Sequence, residues 1–178
     1  GSRALDGADG ASVIANIAIG SDALGGSVTA GDNIAIGHDA LKVATSGSDN
    51  IAIGSTAGDA ITTAVGTIAI GSGALGAHTS ANDNIAIGYN ALLISNNSAS
   101  VDNIAIGSRA MDAAIGAGVI ANIAIGTDAL GTGTLTAGDN IAIGHDALKS
   151  TTSGSDNIAI GSLAGDAMTT GLQNGAIG

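Results

Sequence analysis

The stretch Asn84-Ile85-Ala86-Ile87-Gly88 decides the fold, because close copies of it recur along the whole chain. If its Asn is position 0, successive copies begin 17 to 19 residues apart. The ten copies start at Asn16, Asn33, Asn50, Thr67, Asn84, Asn103, Asn122, Asn140, Asn157 and Asn174. A fixed period of this length is typical of a solenoid, in which each coil contacts mainly its two neighbours.

The alternation in Asn-Ile-Ala-Ile has a period of two, which predicts a short β-strand in every coil. A helix is the competing structure, but Gly recurs every few residues and costs about 1 kcal/mol relative to Ala within a helix. We expect the two β-branched Ile side chains to face the packed interior and the Ala at +2 to face outward. The Gly at +4 is expected to end the strand at a bend where a Cβ would not fit.

A second segment, with Ala at +7 and Leu or Met at +8, is expected to return apolar side chains to the same core. Gly58 and Gly165 replace the large residue at +8, and we expect Ile61 and Met168 to supply the missing volume. Length changes fall after +8, as in residues 95–100, which predicts a surface loop there. The sequence thus predicts an all-β parallel β-roll or β-solenoid of about nine to ten coils of 17–19 residues.

A longer period is superimposed on the coils. Residues 1–106 and 107–178 match at an offset of 106 residues, which becomes 107 after one insertion, so six coils form a super-repeat whose second copy is partial. We interpret residues 1–178 as one solenoid domain. Because the chain starts without Met and shows no signal peptide, we expect it to be a processed or excised segment.

Composition argues against several kinds of partner. The net charge is −11, all 15 acidic residues are Asp, and only four Lys and Arg are present. That balance argues against nucleic-acid binding and against electrostatic docking on an anionic membrane. Mean hydropathy is +0.44, but no apolar run approaches about 18 residues, so we expect no membrane insertion. Without cysteine, neither a disulfide nor a thiolate metal site can form.

Stacked coils place equivalent residues about 4.8 Å apart, so recurring polar residues form columns along the rod. We predict that the Asn at position 0 form a structural ladder of side-chain amides, each donating to and accepting from its neighbours. The predicted ladder residues are Asn16, Asn33, Asn50, Asn84, Asn103, Asn122, Asn140 and Asn157.

Asp recurs at −1, +6 and +9, where stacked carboxylates repel unless they are solvated, paired or bridged by a cation. Lys42 and Lys149 are expected to pair with Asp59 and Asp166 of the following coil. We interpret the remaining Asp as solvated, because the glycine-rich nonapeptide of calcium-binding β-rolls is absent. The prediction is therefore no cofactor, with calcium on the Asp columns as the alternative.

The predicted core is small, because each coil supplies only two Ile and about one Leu as large apolar groups. An outward Ala column without aromatic or charged residues would let another strand layer approach closely. We therefore expect rods to associate side by side into a homo-oligomer.

The stretch from Asn84 to Leu92 resembles the repeat of trimeric autotransporter adhesin heads and of related phage tail-fibre and tailspike segments. Their motif is close to Asn-x-Ala-Ile-Gly-x-x-Ala-Leu, and the resemblance covers essentially the whole chain, although the coil here is longer than in the best-known heads. It implies a parallel β-roll in a homotrimer, placed extracellularly on a cell surface, fibre or virion appendage. The implied role is attachment to a host surface or matrix.

We do not expect an enzyme, since no nucleophile–base or paired-carboxylate constellation stands apart from the columns. His38 and His145 share position +5 but lie six coils apart, about 29 Å, so one chain cannot use both at one metal. In a trimer with +5 facing the axis, three copies of His38 could meet.

The leading prediction is a structural surface-fibre or adhesin-head segment whose loops, such as residues 93–101, bind a surface or matrix ligand. The alternative is a filament subunit that stacks end to end. An ice-binding solenoid would need a regular Thr face, and Thr62, Thr63, Thr151 and Thr152 form no complete column.

Overall fold

The structure, a computed structural model, describes residues 1–7, 14–80, 82–93, 100–114, 116, 118–131 and 134–178. Ten three-residue strands form one parallel sheet in chain order, which confirms the predicted all-β solenoid. No helix occurs in these ranges. The strands are β1 (Ile17–Ile19), β2 (Ile34–Ile36), β3 (Ile51–Ile53), β4 (Ile68–Ile70), β5 (Ile85–Ile87), β6 (Ile104–Ile106), β7 (Ile123–Ile125), β8 (Ile141–Ile143), β9 (Ile158–Ile160) and β10 (Gly175–Ile177).

Register along the sheet is constant, because each Ala at +2 lies beside the Ala of the next strand. The flanking +1 and +3 residues pair in the same way, and Gly175 takes the place of Ile only in β10. We number the coils 1 to 10 after their strands. The columns predicted for the strand positions are therefore physical columns along the rod.

The prediction about which side of the strand is packed is wrong. Ala35 and Ala86 are fully buried, whereas Ile19 and Ile160 expose 57% and 42% of their surface. The reason lies in the Asn at position 0, which is buried in the interior coils. Because alternate residues of a strand share a face, a buried position 0 places +2 inside and +1 and +3 outside.

The interior of each coil is filled mainly by Ala and Leu side chains. Ala at +2 and +7 and Leu or Met at +8 form one continuous buried cluster with apolar residues of the turn. Gly58 has a positive φ of 57°, and a Cβ there would lie 2.8 Å from Cδ1 of Ile61. Ile61 is fully buried and Met168 packs against the cluster, so both fill space left by Gly at +8, as predicted.

Left-handed backbone conformations recur at three positions of the coil. Residues at −1, +6 and +8 have φ near +50° to +60°, for example Asp49 at 59°, Asp39 at 59° and Leu41 at 49°. This region is unfavourable for most residues with a Cβ, and Asp, Asn and Gly enter it most readily. The backbone thus accounts for much of the Asp at −1 and +6, whereas +8 keeps Leu or Met in most coils despite the same conformation.

The glycine at +4 makes the predicted bend. Gly88 has a φ of 138°, and a Cβ on it would collide with the carbonyl oxygen of Gly107 in the next coil. Of the predicted surface loop at 95–100, residues 95–99 lie outside the described residues. Ser100 is buried, and its hydroxyl donates to the Val119 carbonyl at 3.3 Å.

Replacing Ala86 with Val should destabilise the fold by about 1–3 kcal/mol, because the extra methyl groups overpack a filled interior. The matched change Ile85→Val, on the outer side of the same strand, should cost no more than about 1 kcal/mol. Urea denaturation followed by circular dichroism measures both. A larger loss for Ile85→Val than for Ala86→Val would contradict this orientation of the strand.

Candidate functional site: an isoleucine face with polar rims

The outer side of the sheet is an unbroken apolar stripe, which we call the isoleucine face. No residue of the ten strands carries a charge, and every strand Ile is exposed or half-exposed. The face consists of Ile17, Ile19, Ile34, Ile36, Ile51, Ile53, Ile68, Ile70, Ile85, Ile87, Ile104, Ile106, Ile123, Ile125, Ile141, Ile143, Ile158, Ile160 and Ile177. Contiguous exposed apolar surface is typical of interaction sites.

Two polar columns border the isoleucine face. The Asp rim lies at −1 and consists of six exposed carboxylates, Asp32, Asp49, Asp83, Asp102, Asp139 and Asp156. The donor rim lies at +5 and consists of Ser21, His38, Ser55, Ser72, Tyr89, Ser108, Thr127, His145 and Ser162, all exposed or half-exposed. One border is therefore anionic, and the other offers hydroxyl and imidazole groups.

The predicted asparagine column runs through the interior. Oδ1 of Asn84 accepts hydrogen bonds from the backbone N–H and from Nδ2 of Asn103, each at 3.1 Å. Nδ2 of Asn103 also donates to the carbonyl oxygens of Val119 and Val101. The pattern repeats from coil to coil, so each amide satisfies buried backbone groups as well as its neighbour.

Thr67 interrupts this column, and sequence reasoning did not foresee the consequence. Its hydroxyl oxygen is buried and makes no hydrogen bond. Nδ2 of Asn84 in the next coil lies 3.3 Å from Nε2 of His78, a fully buried histidine. The signal in the sequence is that Thr67 replaces the Asn of its column and that His78 follows in the same coil, at a position where no other coil has a histidine.

Two clusters of charged side chains occupy the turn after the strand, one in each super-repeat. In the second, Arg109 donates to both carboxylate oxygens of Asp128 at 2.6 and 2.7 Å, and Lys149 donates to Asp146 at 2.8 Å. In the first, Arg3 pairs with Asp22, and Lys42 pairs with Asp39. The histidines His38 and His145 lie beside these pairs.

The predicted ion pair of Lys42 with Asp59 is wrong, because the ammonium group bonds to Asp39 three residues earlier in the same coil. Asp39, at +6, has a positive φ of 59°. Its carboxylate lies 3.1 Å from the ammonium group of Lys42, at +9 of the same coil. Lys149 likewise donates to Asp146, and its Nζ lies 3.9 Å from Asp128 in the preceding coil.

The same clusters contain the ligand types of a metal site. Asp22, His38 and Asp39 place potential ligand atoms within 4.8 Å of one another, and so do Asp128, His145 and Asp146. Their carboxylates already bond to Arg and Lys, and those cations hold the pKa of Asp22 and Asp128 below the ordinary value. We therefore assign these clusters to ion pairing.

A threonine ladder runs along the segment that leads from the turn of each coil to the next strand. The backbone N–H and the hydroxyl of Thr45 both donate to the carbonyl oxygen of Thr62, at 2.9 and 3.0 Å. This pattern links Thr29, Thr45, Thr62 and Thr79, and then Thr136, Thr152 and Thr169. Sequence analysis missed these columns, because Thr29 and Thr136 stand at +13 and +14, whereas the other members stand at +12. Because these hydroxyl groups donate to backbone carbonyls of the next coil, we interpret the ladder as stabilising the stacking of coils.

No pocket opens in the portion of the chain that the structure describes, and no helix there is long and apolar enough to span a bilayer. No protein-family model, curated protein or solved structure matches this chain. The isoleucine face and its two rims are therefore the surface on which a function can be argued.

Replacing Asn103 with Leu should destabilise the fold by about 3 kcal/mol or more. The change leaves buried partners in both neighbouring coils unsatisfied, at about 1–3 kcal/mol for each group. Asn174→Leu is the matched control, because Asn174 is exposed at the end of the column and should cost under about 1 kcal/mol. Equal losses in urea denaturation would contradict a structural role for the buried column.

Asp59 and Asp128 should change stability with pH in opposite directions. Burial raises the pKa of Asp59 above 3.8, and the charge of Asp39 raises it further. A raised acid stabilises the fold while protonated, so that stability is lost as pH rises through the folded pKa. The hydrogen bond from Arg109 lowers the pKa of Asp128, so its stabilisation is present above 3.8 and is lost as pH falls.

We compare the free energy of unfolding of each variant with that of the unchanged chain as pH rises from about 3 to about 7. Over this rise Asp59→Asn should gain stability relative to the unchanged chain, whereas Asp128→Asn should lose stability relative to it. Urea denaturation at several pH values measures both differences. The same sign of slope for the two variants would contradict the assigned environments.

Proposed function

We propose that this chain is a structural segment of an extracellular fibre, in which identical copies pack through their isoleucine faces. One observation carries the proposal. Ala and Leu fill the interior of the coil, and 19 Ile side chains are left on one uncharged outer face. Covering that face is the main apolar stabilisation still open to the chain, at about 25 cal/mol per Å² buried.

The geometry suits a partner that is another copy of the same chain. Ile side chains form two columns with a constant strand register, so an identical face offers ridges at the same spacing of about 4.8 Å. Homo-oligomers with closed rotational symmetry are the commonest soluble assemblies. The face thus replaces the Ala column as the surface for side-by-side association.

The sequence resemblance supports three copies and a role in attachment. Under this proposal the segment is a trimeric adhesin-head or tail-fibre-like rod, exposed on a cell or virion surface and without catalysis. The proposed ligand-binding loop, residues 93–101, lies largely outside the described residues. The end-to-end filament stays an alternative prediction, and continuous fibres in electron micrographs would favour it over discrete short rods.

Light scattering tests the association directly. The unchanged chain should have about three times the 16.6 kDa mass of one copy at micromolar concentration. The double variant Ile53→Lys/Ile87→Lys should shift to a single copy, because buried ammonium groups without partners oppose association. Val43→Lys, at an exposed apolar residue of the turn, should leave the mass unchanged. A folded single copy of the unchanged chain would contradict the proposal.

A further inference from the structure

The asparagine column changes its chemistry between coils 4 and 5. In an intact part of the column, Nδ2 of Asn103 contacts three acceptors, which are the carbonyl oxygens of Val101 and Val119 and Oδ1 of Asn84 in the preceding coil. The two carbonyls belong to the backbone, so only the third acceptor is a side chain. An Asn at position 0 of the preceding coil is what supplies it.

His78 supplies that third acceptor to Asn84. Nδ2 of Asn84 contacts the carbonyl oxygens of Asn82 and Ser100 at 2.9 and 2.7 Å, as in the intact column. Coil 4 carries Thr67 in place of Asn, and Nε2 of His78 lies 3.3 Å from the same Nδ2. The imidazole of His78 thus stands in for the missing amide oxygen.

The contact requires an imidazole without a proton on Nε2. Oδ1 of Asn84 accepts from the backbone N–H and from Nδ2 of Asn103, which fixes the orientation of the Asn84 amide. Its NH₂ group, a donor only, therefore faces His78, and Nε2 has to accept. A proton on Nε2 would place one donor against another and break the link between coils 4 and 5.

The surroundings of His78 also oppose a positive charge. The side chain is fully buried, as is Ile61 at the same position of coil 3. Five other ionisable side chains lie between residues 49 and 102, and all of them are exposed or half-exposed: Asp49, Asp59, Asp83, Tyr89 and Asp102. A protonated His78 would place its charge in an interior of mainly apolar and amide side chains, which is costly.

We propose that His78 makes coils 4 and 5 an acid-sensitive joint of the rod, which opens when the imidazole is protonated while the coils on either side stay stacked. Coils of a solenoid contact mainly their neighbours, so one region can open without unfolding the rest. The inference goes beyond the proposed function and does not depend on it, because the joint lies inside a single copy.

The direction of the pH effect follows from linkage. An imidazole in contact with water has a pKa of about 6.5, whereas the closed joint requires the neutral form. The open joint therefore gains a proton as pH falls, and the stability of the closed joint is present above about pH 6.5 and lost below it. Between pH 7 and pH 5 the equilibrium constant for opening should rise by up to about 25-fold.

Hydrogen exchange of the full chain at pH 7 and pH 5, corrected for the intrinsic exchange rates and read by mass spectrometry, measures this constant coil by coil. Backbone amides of coils 4 and 5 should lose protection at pH 5, and those of coils 8 and 9 should change much less. Unchanged protection of coils 4 and 5, or an equal loss along the whole rod, would overturn the joint.

Three variants assign the effect to the imidazole. Thr67→Asn/His78→Ala restores the column, with Ala at the position where Ala44 and Ala114 are buried, and should abolish the loss of protection. His78→Gln keeps a neutral acceptor and should abolish it too. His38→Gln, at a histidine whose side chain is 61% accessible, is the matched control and should retain it. If either His78 variant folds and still loses protection like the unchanged chain, the proposal is wrong, whatever light scattering shows about self-association.

Discussion

The buried asparagine column is the constraint on which the rest of the structure depends. An amide in the interior of a coil must find partners above and below it, and Oδ1 and Nδ2 of each Asn do so through the neighbouring Asn and the backbone. With position 0 inside, the period of two fixes Ala at +2 inside and both Ile outside. Removing a buried amide would leave polar groups in two coils without partners, so the column also fixes the register of the coils.

The composition of the coil interior and that of the outer face both follow from the burial of this Asn. Inside, Ala from the strand packs against Ala and Leu or Met from the turn in one buried cluster. Outside, the Ile columns form an apolar surface bordered by carboxylates on one side and by hydroxyl and imidazole groups on the other. We propose that association with other copies stabilises a rod with this cross-section. The coil interior and the proposed self-association thus both follow from the same alternating pentapeptide.

Much of the fold was predictable from the sequence, because the Asn-Ile-Ala-Ile-Gly period gives the strands, their parallel order and the bends at Gly. The facing of the strand was not, since alternation alone does not say which side is packed; burial of Asn84 decides it. The Asp columns were misleading for a related reason. Asp49 and Asp39 stand where the backbone turns left-handed, a demand that charge patterning does not reveal. The same turn directs Lys42 to Asp39 rather than to Asp59. His78 occupies an interior site that only the local loss of Asn at Thr67 hints at.

The most direct test of the central claim, that Ala faces inward and Ile faces a neighbouring copy, is the rate of thiol modification at two adjacent positions of β5. The thiol of Ala86→Cys should stay unreactive at every protein concentration, because the side chain it replaces is fully buried within one coil. The thiol of Ile85→Cys should react readily in dilute solution and become protected as concentration rises and copies associate. A reactive thiol at 86 together with a protected one at 85 in dilute solution would contradict the account.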